Sequence, residues 1–137
     1  MAGKFNAAEH RVLSAGAALQ AAVAARLVAL GVLAGVYDGP PARAAFPYVA
    51  IDAGSEVDWS HKSGAGREVA LAVTLWDDQA DGLAGLADLV EASVAGTGFV
   101  AGWQLVSSRL VRRRTVRDVA GPWAVAIDFR VRLLAVE

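Results

Sequence analysis

Catalysis in a chain of this kind has few residues to draw on. There are two imidazoles, His10 and His61, no cysteine, and serines at positions 14, 55, 60, 63, 93, 107 and 108. A zinc site on a helix favours a second His or a carboxylate at the i+4 spacing, and neither histidine has one there. Glu9 and Glu56 reach them only if the fold brings them together. No serine lies in a GxSxG elbow, so a hydrolase triad has no anchor. The absent cysteines remove disulfides, thiolate metal sites and a Cys nucleophile, and fit a reducing compartment. The plain reading of both histidines is as surface residues. The one local set that suits acid-base chemistry or ligand binding is Asp58, His61 and Lys62, and a small ligand-binding or enzymatic α+β domain built on it is the alternative reading of the chain.

Three other groupings invite a chemical reading. Asp77, Asp78 and Asp81 are acidic enough to suggest a cation site, but hard-cation loops spread oxygen ligands over a dozen residues around a glycine turn. Capping of a following helix explains them more simply. Gly64-Ala65-Gly66 lacks the GxxxxGK[ST] frame and precedes a strand, whereas a phosphate loop opens a helix. It reads as a flexible hairpin tip, and Gly96-Thr97-Gly98 follows a helix and fails likewise. No catalytic, cofactor-binding or metal-ligating residue is therefore assigned, and no cofactor is expected.

The most distinctive charged feature is Arg109, Arg112, Arg113, Arg114 and Arg117, five of 11 arginines within nine residues. On a strand, Arg112 and Arg114 point one way and Arg113 the other, so they form no single basic face. Aromatic residues do not interleave with them as a stacking platform requires. A solvated, twisted hairpin arm is one reading, acidic subunit contact a second, and nucleic-acid contact a third. Asp77 and Asp78 are an available acidic partner, since arginine favours paired contacts with carboxylates.

The elements that must position these residues are legible from composition and periodicity. At 137 residues the chain fits one domain, 1–137. Its net charge of −1 argues against a protein that coats a polyanion. Hydrophobic residues make up 55% and charged residues 20%, against about 25% charged in typical soluble domains. Thirty alanines inflate that apolar content without adding much area, yet the remaining surplus points to contact between subunits. Residues 15–36 are nearly continuous apolar sequence of about the length that crosses a bilayer, but Arg26 sits in the middle, where a charge costs roughly 2.5–3.5 kcal/mol. Leu19, Val23, Leu27 and Leu30 instead form the stripe of an amphipathic helix, and neither a membrane span nor a signal peptide is expected.

That helix is expected to start near Asn6, with Glu9 completing a capping box, and to stop at Gly31. Asp38-Gly39-Pro40-Pro41 predicts a turn, and Pro47 the entry to a short strand over 48–53. Alternation of Val69, Leu71, Val73 and Leu75 predicts a half-buried strand. A second helix is expected over 78–95, with Leu83, Leu86, Val90 and Val94 inward and Gly96 as its stop. Residues 104–116 and 123–136 predict a hairpin around Asp118-Val119-Ala120-Gly121-Pro122. The fold class is thus α+β, a mainly antiparallel sheet with two helices packed on one face.

Tyr37-Asp38-Gly39-Pro40-Pro41 followed by Phe46-Pro47-Tyr48-Val49 resembles the tail-terminator, or tail-completion, proteins of long-tailed phages and gene transfer agents. The likeness continues through Asp58-Trp59-Ser60-His61-Lys62, the Gly66-Arg67 entry to a strand ending in Trp76, and Arg117-Asp118 ahead of Gly121. It spans nearly the whole chain in order. The resemblance implies a structural protein and no enzyme: a hexameric ring at the head-proximal end of a tail tube, which halts tube polymerisation and meets the head-side connector. It implies assembly in the bacterial cytoplasm, residence in a virion or phage-like tail, and DNA passing through the ring without sequence-specific binding. Trp59, Lys62, Asp77, Asp78, Arg112, Arg113, Arg114 and Arg117 are the contacts expected with a neighbouring subunit, the tube or the connector.

Overall fold

A computed structural model describes residues 13–117, 119 and 121–136. In chain order they form α1 (Ala15–Ala29), β1 (Gly35–Asp38), β2 (Tyr48–Asp58), β3 (Gly66–Asp77), α2 (Leu83–Ala95), β4 (Phe99–Val100), β5 (Trp103–Arg117) and β6 (Trp123–Ala135). The strands make one six-stranded sheet in the order β1-β2-β3-β6-β5-β4. Every pairing is antiparallel except that of β1 with β2.

The core lies between the helices and one sheet face. Val69, Leu71, Val73 and Leu75 of β3 pair with Val131, Phe129, Ile127 and Val125 of β6. All eight are buried with Leu19, Val23 and Leu27 of α1 and Leu83, Val90 and Val94 of α2. Burial of each such side chain stabilises the fold by about 1.5–3 kcal/mol, which is why this period-two pattern dictates the register. Arg26, the charge that argued against a membrane span, ties the two helices together by donating from Nε to the Ser93 carbonyl at 2.7 Å. No helix among the described residues is long and apolar enough to cross a membrane.

Three expectations about element ends need correction. Leu13 and Ser14 are not helical, so α1 cannot run unbroken from Asn6. It starts at Ala15, where the Ser14 hydroxyl accepts from the Ala17 amide at 3.3 Å. The Asn6 and Glu9 cap lies outside the described residues, as does His10. Its end is as expected, with Gly31 at φ +72° just beyond the Leu30 cap.

The second helix begins at Leu83 rather than 78, and Asp77, Asp78 and Asp81 do not cap it. Pairing of β3 with β6 continues to Asp77 opposite Trp123. The turn into α2 is made by Gly82 at φ +77°, a backbone state other residues resist. The second strand also outlasts the expected Ala53. A bulge between Asp52 and Ser55 breaks its alternation and lets pairing with β3 resume through Asp58.

Candidate functional site

The corner holding Asp58, Trp59, Ser60, His61 and Lys62 joins β2 to β3. The His61 amide donates to the Gly64 carbonyl at 2.8 Å and the Gly64 amide donates back at 3.2 Å, so Lys62 and Ser63 form the exposed tip. Asp58 accepts from the Ser60 hydroxyl at 2.6 Å, and that hydroxyl accepts from the Gly66 amide at 3.1 Å. The Ser60 hydroxyl holds the Asp58 carboxyl below its usual range, helped by the Ser60 amide and the Arg67 guanidinium and opposed by partial desolvation. Gly66 belongs here because a Cβ would strike the Trp59 carbonyl oxygen.

His61 meets the Trp59 ring edge-on at 4.5 Å, and the Arg132 guanidinium lies 5.3 Å from the centre of that ring. Most of the corner's polar groups are therefore engaged locally: Asp58 and Ser60 pin the turn and His61 packs on Trp59, while Lys62 is exposed at the tip. Among the described residues no group of three or more His, Cys, Asp or Glu side chains is placed to hold a metal ion.

The arginines lie on β5, and the sheet divides them as the alternation predicts. Arg113 stands opposite Ile127 on the helix-covered face. Its Nη1 reaches Asp88 at 2.6 Å and Glu91 at 3.0 Å, and its Nη2 donates to the Ala84 carbonyl at 3.3 Å. The Asp88 carboxylate, with Glu91 behind it, stabilises the charged guanidinium and raises its pKa against a smaller loss from desolvation. Asp88 and Glu91 lie three residues apart on α2 and so share one face of it.

Arg112 and Arg114 stand on the opposite face, across from Asp128 and Ala126. Arg112 makes a loose 3.8 Å contact with Asp128, and Arg117 lies 5.0 Å from the Trp123 ring centre. Arg109 and Arg114 are exposed and make no ion pair among the described residues. Within the chain, among the described residues, the acidic partners of the clustered arginines are thus Asp88, Glu91 and Asp128. Asp77 is taken up in the last pair of β3 with β6, and α2 runs on the side of the sheet to which Arg113 points.

The sheet face without helices carries Ala50, Ala72, Thr74, Ala124 and Ala126 at its centre, the alanines left over by the alternation. Glu68 bridges Arg132 at 2.9 Å and Arg130 at 3.7 Å on this face. At one corner the rings of Phe46, Tyr48 and Trp76 stack in series, with centroids 5.7 and 6.3 Å apart. What periodicity did not reveal is how open β5 is. Val106, Leu110, Val111 and Val116 are all exposed along it. The only hint in the sequence was a run of apolar residues broken by arginines where a buried strand would carry none.

An α+β sheet that, among the described residues, leaves one face and one long edge uncovered has the layout of an assembly protein. Residues 10–134 match the family model described as Tail completion protein gp17, and the chain belongs to that family. It is a structural protein of a phage-like tail. Among solved structures it is similar to a chain of the "Virion of native gene transfer agent (GTA) particle", at 29% identity and a TM-score of 0.69 over 90% of this chain and 100% of that one. No curated protein matched.

Proposed function

We propose that residues 1–137 act as one domain that joins copies of itself into a hexameric ring. The ring sits on the head-proximal end of the tail tube, stops tube polymerisation and presents a surface to the head-side connector. The observation that carries this reading is the match to the tail-completion family across residues 10–134. The uncovered sheet face and the open β5 edge support it, because a small domain seldom leaves so much of a sheet unprotected unless another chain covers it. DNA passes through the ring without sequence-specific contact, in keeping with a net charge of −1. Of the contacts expected from the sequence, Lys62, Asp78, Arg112, Arg114 and Arg117 are exposed and available to a neighbour, the tube or the connector. Arg113 is committed to α2 within its own chain.

Particles made without this protein test the reading. Negative-stain images should show tails of irregular length and heads without tails, and expression of the intact chain should restore both. Normal tails joined to heads in its absence would overturn it.

A further inference from the structure

The sheet ends in two edges of opposite character. On one side β4 pairs only with Trp103 and Gln104, so from Leu105 to Arg117 β5 has, among the described residues, a strand on one flank only. No acidic residue occurs between Trp103 and Arg117, and the strand carries all five clustered arginines. Val111 is 52% exposed and Val116 45%. Edge strands of solitary proteins are usually short, interrupted or covered. Bulges do interrupt β5 at 105/107 and 110/112, but Arg112 to Arg117 pairs regularly with β6, and no strand among the described residues lies on its far side.

On the other side β1 covers β2 only from Tyr48 to Ile51, which leaves Asp52 to Asp58 as the sheet's edge. This edge carries Asp38, Asp52, Glu56 and Asp58. Arg67 reaches Glu56 and Asp58 from the β3 side, and Arg43 lies in the connection from β1 to β2. Asp38 and Asp52 are exposed and make no ion pair among the described residues.

Strand direction completes the match. β2, β3, β6 and β5 alternate in direction, and β1 runs with β2, so β5 runs opposite to the strands of the far edge. A sheet continued from one copy to the next in the same sense therefore meets in antiparallel fashion, the more stable arrangement.

We propose that the basic open edge of β5 docks antiparallel along the acidic β1–β2 edge of a second copy of this chain. The contact is head to tail, because two different edges meet, and such a contact closes into a ring when the rotation between copies permits. Pairing of β5 with another β5 would set arginines against arginines, so the same charges that attract unlike edges reject like ones. This inference rests on the ring reading and names the surface that builds the ring.

Charge reversal on particles tests it. One variant carries Arg109→Glu with Arg114→Glu, the other Asp38→Arg with Asp52→Arg. Each supplied singly should lower the amount of protein on purified tails by about tenfold or more, since like charges then face each other. Supplied together they should restore it, because the acidified β5 edge of one now fits the basic β1–β2 edge of the other. A misfolded variant could not be rescued in this way. The chain has no cysteine, so Arg114→Cys with Asp52→Cys in one chain adds the only thiols, and a short bis-maleimide should yield a ladder of linked copies. Arg114→Cys by itself should yield none.

Normal assembly of both charge variants, failure of the mixture to rescue, or dimers from Arg114→Cys by itself would each overturn the edge contact. The first of these would leave the ring reading intact. Normal tails without the protein would instead remove the ring reading.

Discussion

The two arms of the C-terminal hairpin are neighbours in sequence and partners in register, yet they are buried very differently. In β6, Val125, Ile127, Phe129, Val131 and Leu133 are all at most 3% exposed, because β3 and β5 flank the strand and the helices cover that face. In β5 no residue is fully buried, and Leu110, which pairs with Phe129, is 42% exposed. Position in the sheet makes one arm core and the other largely surface: only Trp103 and Leu105 at the start of β5 pack against the core, and farther along the strand Arg113 ties it to α2 by ion pairs.

The largest expected contrast comes from truncating each arm. Ile127→Ala should lower unfolding free energy by about 2–5 kcal/mol in a denaturant titration, whereas Val111→Ala should stay within about 0.5 kcal/mol. Equal losses would mean that β5 is also core, and the comparison would fail. A smaller contrast separates adjacent arginines. Arg113→Met removes two carboxylate contacts and a carbonyl contact on a side chain only 25% exposed, and thermal unfolding should register roughly 1–2 kcal/mol. Arg112→Met, which gives up one loose contact on a 62% exposed side chain, should register less than about 0.5 kcal/mol.

The smallest effect concerns the Asp58 corner, where Arg132 of β6 lies over Trp59. The folded state depresses the Asp58 pKa below 3.8, with the Ser60 hydroxyl as the main cause. Its contribution is therefore present above that value and lost as the pH falls through the lower folded one. In unfolding curves followed against pH, Asp58→Asn should lose a small amount of stability at neutral pH and converge with the parent as the pH falls through that window, so that its acid limb is slightly flatter. An unaltered acid limb would show that the turn does not depend on the charge.

How much of this was legible beforehand varied with the kind of signal. Alternation in β3 and β6 and the stripe of α1 were readable because one buried face imposes a period on the residues beneath it. The splitting of Arg112 and Arg114 from Arg113 followed from the same period. The acidic run at 77–81 misled, because carboxylates before an apolar stripe look like a cap whether or not a strand still claims the first of them. The bulge at Asp52 hid the second half of β2, since an inserted residue reverses the pattern that identifies a strand. Asp88 and Glu91 sit on an ordinary helix face, and nothing local marks them as partners of a residue more than twenty positions away.

The amino-acid sequence by itself determined the elements, their inward faces and the excess of apolar and arginine residues that some contact must absorb, because those properties depend on neighbours within a few residues. Only the tertiary structure decided that β6 is interior and β5 an edge, that Arg113 is tied to α2, and that the two ends of the sheet carry opposite charge. Those outcomes depend on strand order, which is set by pairing between distant segments and leaves no local periodicity behind.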